Sequence, residues 1–295
     1  MTKASERRKR TKAEQRSRRE KTRIASAAPA LGSGPALPVT FPQSTLEEIW
    51  GSESRMLETA KDRYGDHWSH ARGCTVFLSR CIISFDVSRM MFGHFFAHLK
   101  KHHTLALFSA ARLHKVQSMM DLRQVLEAGA SAAFAIANPQ PEHFVDVDAR
   151  GILDPSQPLT KKRYAWLDSN YSDKSQWIAD TKRKINESAA HANLVSANSV
   201  FRVNDAGDLA NAPFFDVEDD HHVKTDLWLI SCVALTLMDF FYGVNLQHNA
   251  LEFVGGFSET LQRYAAANTA LRDQMMQTDR YKAAMSKFGP SSNLK

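Results

Sequence analysis

Residues 104–137, TLALFSAARLHKVQSMMDLRQVLEAGASAAFAIA, read as one long helix. Its alanines permit a neighbouring element to come close. Asn138 and Pro139 stop it, because proline lacks the N–H that another turn would need. Working outward, residues 67–101 read as a second long helix. Apolar Cys74, Phe77, Leu78, Cys81, Ile82, Phe85, Met91, Phe92, Phe95 and Leu99 recur there at helical steps. Earlier still, Ser44 or Thr45 caps a helix that has Glu47 and Glu48 in its first turn.

Downstream, residues 138–157 hold three prolines and one glycine and read as a loop. A helical pair follows at about 158–169 and 173–194, the latter capped by Asp173. The texture then changes. Residues 199–217, SVFRVNDAGDLANAPFFDV, carry β-branched and aromatic segments around Asp205-Ala206-Gly207, which predicts a two-stranded hairpin. Helices resume at about 218–249 and 251–287, with Gly255-Gly256 as an interruption rather than a phosphate loop. The expectation is an all-α bundle of six or seven helices with one small β-hairpin insertion and no βαβ alternation. It forms a single domain over residues 44–290. The apolar run LWLISCVALTLM, residues 227–238, ends at Asp239 and falls short of the roughly twenty residues a spanning helix needs. It reads as a helix buried on most sides, and no membrane span is expected.

The chain begins differently. Residues 1–23 have no apolar stripe, so nothing drives them to pack, and disorder is expected. Residues 25–43 hold four prolines and two glycines and read as a flexible linker. The whole chain carries +6. Its first 23 residues, with eleven Lys or Arg against three Glu, carry +8, which leaves the other 272 residues at −2. Any attraction to phosphate that charge alone supports therefore belongs to residues 3–23, and the expected partner is RNA, DNA or an acidic protein. Three cysteines in no metal-type cluster read as small buried thiols of an intracellular, cytoplasmic protein.

The stretch RMMFGHFFAHLKKHH, residues 89–103, places His94, His98 and His102 four residues apart. With Met91 at 0° on a wheel of about 100° per residue, Phe95 and Leu99 fall near 40° and 80°, and His98 and His102 near 340° and 20°. The imidazoles thus flank the apolar face, a position that suits a ring with one wet edge. One pair, His94 and His98, has the spacing to share a metal ion. The remaining ligands would come from Asp219, Asp220, His221 and His222. HFFAH lacks the Glu of a hydrolytic zinc helix. Arg89 and His94 also match the Arg-then-His spacing of one ribonuclease class, as do Arg63 and His70. With fourteen Arg outside the tail and twelve His, matches at that frequency arise by chance.

Two segments together, ARLHKVQSMMDLRQVLEAGASAAFAIA and KRKINESAAHANL, resemble bacterial helical proteins near the HEPN superfamily. The resemblance covers roughly residues 100–200, about a third of the chain. It implies a short helical bundle, often dimeric, so a homodimer is one expectation. It also implies either a metal-independent ribonuclease of defence or toxin type or a non-catalytic binding module. Here Arg183 has seven residues before His191, outside the family's spacing, which bears on catalysis more than on fold. The residues have a reading of their own. Arg123 and Glu127, at i and i+4, share one helical face as a structural pair or as part of a cleft with His191, which sits near a helix C-terminus. Arg123, Glu127 and His191 are the first candidates for a catalytic site. No P-loop, dinucleotide fingerprint or nucleophile elbow occurs, so no cofactor is expected. The leading functional expectation is a non-enzymatic binding module with a basic tail. The HEPN-like ribonuclease and a metal-binding helical enzyme are the other two.

Overall fold

A computed structural model describes residues 44–147, 153–154, 157–188, 197, 200–203, 210–211, 214–216 and 219–288. All of these lie in one compact unit spanning Phe41–Lys295. The described residues form ten α-helices. In chain order these are α1 (Leu46–Glu58), α2 (Ala60–Tyr64), α3 (Asp66–Arg80), α4 (Met90–Ala111), α5 (Lys115–Ala137), α6 (Gln157–Asn170), α7 (Ser172–Ser188), α8 (Asp220–His248), α9 (Phe257–Gln277) and α10 (Asp279–Phe288). Three short ladders join them: β1 (Ile82–Phe85) with β6 (Leu251–Phe253), β2 (Asp146–Val147) with β3 (Leu153–Asp154), and β4 (Arg202–Val203) with β5 (Ala210–Asn211). The all-α bundle is as expected, and β4–β5 is the expected hairpin, with Arg202 opposite Asn211 and Val203 opposite Ala210.

The core is built on α4, α5 and α8. Gly129 of α5 lies against Leu237 of α8 so closely that a Cβ there would sit 2.6 Å from a Leu237 methyl. The alanines around it are buried too: Ala128, Ala130, Ala132, Ala133 and Ala135. The small-residue run thus lets two backbones approach, as the sequence indicates. Helix α8 is long and apolar enough to cross a membrane by length and composition. In this fold α3, α4, α5 and α9 pack around it, and most of its apolar stretch is buried. At its start Thr45 caps α1 in a capping box with Glu48, at 3.2 and 2.9 Å.

Three helical readings need correction. The apolar periodicity of residues 67–101 is interrupted at Cys81, where Ile82–Phe85 leaves the helix to pair with β6. Asp86 then accepts a hydrogen bond from the Ser88 N–H at 2.7 Å and opens the turn into α4. Helix α4 continues to Ala111, past the expected boundary, and the break to α5 falls at Arg112–His114. Leu113 there is left-handed, with φ 60°. That strained residue is held from outside. Asp216 N–H donates to the Leu113 carbonyl at 2.9 Å, and the Asp216 carboxylate accepts from Lys115 N–H, the first of α5, at 2.6 Å. His114 meets Glu53 of α1 at 2.8 Å. The third correction is local: residues 251–253, expected to begin a helix, form β6 instead.

Candidate functional site

Helix α5 presents Arg123 and Glu127 one turn apart, and the Arg123 Nε donates to Glu127 Oε1 at 3.2 Å. The pair is partly exposed, with 33% and 37% of its side-chain surface accessible, so it lies at the edge of the core rather than within it. Helix α7 adds Lys182, whose Nζ reaches the same carboxylate oxygen at 2.9 Å, and Asn186, which accepts from Arg123 at 2.9 Å. Helix α6 adds Tyr164, whose hydroxyl accepts from Lys182 at 3.1 Å while the ammonium sits 5.1 Å from the ring centre. It also adds Arg163. Helix α4 closes the side with Phe95 and His98. Glu127, Lys182, Tyr164, Arg163, Phe95 and His98 line a pocket of about 290 Å³, with Arg123 and Asn186 beside it.

The charges in the pocket act on one another. Burial raises the Glu127 pKa, but the hydrogen bonds and charges of Lys182 and Arg123 outweigh it and hold the carboxyl below its ordinary value. Burial likewise pulls Lys182 down, yet Tyr164 and Glu127 more than reverse this, and the ammonium is raised. Arg163 is different. Burial lowers its pKa, opposed only by Tyr164. Its Nη1 donates to the His143 carbonyl and its Nη2 to Thr160 Oγ1, both at 3.2 Å, and its guanidinium lies 5.4 Å from the Phe144 ring centre. No carboxylate among the described residues pairs with it.

Of the residues singled out from sequence, Arg123 and Glu127 are in this site and His98 lines it. His191 lies outside the described residues. The other imidazoles of the α4 stripe go elsewhere. His94 is exposed and bonds its own helix through the Met90 carbonyl at 2.8 Å. Arg89, its motif partner, ends the preceding turn with its Nε buried and unbonded. His102 meets Asp121 of α5 at 2.7 Å. His103 is wholly buried between Thr75 and the Ile230 carbonyl, at 3.3 and 3.1 Å, and burial pushes its pKa down to about 4.

The expected metal set does not assemble. Asp219 caps α8, accepting from the N–H groups of His221 and His222 at 3.0 and 3.2 Å, and pairs with Arg280. Asp220 is held by Arg63 at 2.9 Å, and His222 Nε2 faces Arg280 at 2.6 Å. Arginines thus occupy the carboxylates that a cation would need. Among the described residues, no group of three or more His, Cys, Asp or Glu side chains is placed to share an ion. The three cysteines are free; burial pushes their thiols up to about 12 for Cys74 and Cys81 and about 11 for Cys232.

Lys182, Arg163 and Tyr164 are the site residues that sequence reasoning missed. They lie on α6 and α7, and nothing in the apolar pattern of those helices says which polar residue faces α5. Comparison with protein-family models, curated proteins and solved structures finds no match for this chain.

Proposed function

We propose that the protein is a non-enzymatic helical binding module whose basic leader, residues 3–23, contacts nucleic acid. The observation that carries this reading is the division of charge: +8 in the first 23 residues against −2 in the rest. The folded body supports it. Many of its cations are already engaged by its own carboxylates, as in Arg63–Asp220, Arg280–Asp219, Lys174–Asp239, Arg183–Asp180 and Arg112–Glu53. A cation so engaged gives up an existing partner before it meets a phosphate. The leader has eleven cations and three Glu, and its net charge is available to a polyanion through counterion release.

The test compares the full chain with a full-length variant in which the eleven Lys and Arg of residues 1–23 are Gln. Binding of labelled single-stranded RNA and DNA is expected to be lost in the variant while its circular dichroism is unchanged. Undiminished binding by the variant would overturn the reading. Binding to an acidic polypeptide, with none to either nucleic acid, would assign the leader a protein partner instead.

A further inference from the structure

We infer that the pocket between α5, α6 and α7 binds a small organic oxyanion, its charged end gripped by Arg163 and Lys182 and its apolar body set against Phe95 and Tyr164. The argument begins with Arg163. A cation withdrawn from water is costly unless a counter-charge accompanies it. This guanidinium is partly buried and is met by one carbonyl and one hydroxyl, neither of which carries a charge. Two of its five N–H groups are used, and the group lines a cavity. No carboxylate among the described residues pairs with the guanidinium, and the cavity beside it has room for an anion.

The charges around the pocket point the same way. Arg163 and Lys182 line the pocket and Arg123 stands beside it, three cations to the one carboxylate of Glu127 among the described residues there. Both Arg123 and Lys182 converge on the same Glu127 oxygen, one carboxylate against two cations, and Arg163 pairs with no carboxylate among the described residues. An oxyanion would give Arg163 the planar, two-oxygen partner that its fork suits, and would take the remaining Lys182 donor. The volume, about 290 Å³, is at the small end of the range for ligand pockets and admits a compact molecule rather than a polymer. Phe95 of α4 and Tyr164 of α6 provide apolar walls. This goes beyond the proposed function, because it concerns the folded body and not the leader.

The opposing possibility is that Arg163 only pins the 143–144 segment through its carbonyl bond and its stack on Phe144. Calorimetric titration of the full chain with phenyl phosphate, inorganic phosphate and benzoate distinguishes the two. Saturable binding of phenyl phosphate is expected, tighter than inorganic phosphate because the ring contributes. Stronger binding of benzoate than of phenyl phosphate would assign the site to carboxylates, within the same oxyanion chemistry. Arg163→Gln is expected to weaken binding at least about tenfold, with Arg163→Lys in between because it keeps the charge and loses the fork. Thr160 lines the pocket, so Thr160→Phe fills it while keeping every charge, and is expected to abolish binding; it carries the test should Arg163→Gln fail to fold. The variant with a neutralised leader is expected to bind phenyl phosphate as the native chain does, so failure of the leader reading leaves this one standing. No saturable binding of any probe at roughly ten millimolar, where even a millimolar Kd would be visible, overturns the inference. Binding that is unchanged in Arg163→Gln and Thr160→Phe overturns it equally.

Discussion

Replacing Gly129 by Ala tests whether α5 and α8 are as close as the core requires. In a helix interior free of neighbours, Gly→Ala stabilises by about 1 kcal/mol through backbone entropy. At Gly129 the new methyl would lie 2.6 and 2.8 Å from the two Leu237 methyls and 3.3 Å from its Cγ. Ordinary carbon–carbon contact is about 3.5–4.0 Å, so something must move by about 1 Å. Leu237 has no exposed surface into which to move. Overpacking of this kind costs about 1–3 kcal/mol. Set against the helical gain, the net effect is a destabilisation centred near 1 kcal/mol, or about 2–4 °C in Tm for a body of this size. Gly243 supplies the internal control. It lies in α8 with nothing within 4 Å of its notional Cβ, so Gly243→Ala is expected to stabilise by roughly 0.5–1 kcal/mol. Leu237→Ala, about 2–5 kcal/mol destabilising alone, is expected to cost less in the Gly129→Ala background, because the new methyl enters the vacated space. Urea unfolding followed by far-UV circular dichroism reads all four variants against the native chain. Should Gly129→Ala stabilise as much as Gly243→Ala, the close approach of α5 and α8 is wrong, and with it the packing that positions Glu127.

Three further outcomes are expected. His103 is buried neutral, with its pKa pushed down to about 4, whereas in the unfolded chain it titrates near 6.5. Its contribution is fully present above about pH 6.5 and is lost as pH falls toward 4, by at most about 3 kcal/mol, because the unfolded state takes up a proton that the fold refuses. His67 and His70, also pushed down by burial, act in the same direction, so the test is that His103→Gln flattens the urea midpoint between pH 7 and 4.5 relative to the native chain. Asp216→Ala removes the carboxylate that holds the first N–H of α5 and is expected to cost about 1–2 kcal/mol by the same urea assay. Glu127→Gln is expected to strengthen phenyl phosphate binding severalfold by calorimetry, since it removes the one carboxylate among the described residues that line the pocket. It should cost no more than about 1 kcal/mol of stability, the pair being partly exposed.

The parts of the fold that local chemistry determines were legible. The Thr45 and Glu48 capping box, the Ala-rich close approach along α5, and the hairpin that pairs Arg202-Val203 with Ala210-Asn211 follow from residues near one another in the chain. The β1–β6 ladder was not legible. It joins residues about 170 positions apart, with Ile82 opposite Phe253 and Phe85 opposite Leu251, and its apolar residues continue the helical spacing of α3 and α4. Only the β-branched pair Ile82-Ile83 and the cap at Asp86 hint at the break. The turn at Leu113 was hidden for a similar reason: a leucine gives no sign that it will be left-handed, and the residue that holds it, Asp216, is a hundred positions away. At the site, the i, i+4 spacing identified Arg123 with Glu127. Lys182, Arg163 and Tyr164 come from α6 and α7, and their meeting with α5 is decided by tertiary packing that helical phase does not encode.

The measurement that bears most directly on the leader is the salt dependence of its binding. Anisotropy of a labelled single-stranded RNA, read across a series of salt concentrations, gives the slope of log K against log salt. For the native chain a slope of roughly −4 to −8 is predicted, since about 0.7 counterions are released per phosphate neutralised and eleven cations set the upper limit. With those eleven residues changed to Gln, the slope should fall close to zero along with the affinity. Equal slopes and equal affinities for the two proteins would contradict the account and move polyanion contact onto the folded body.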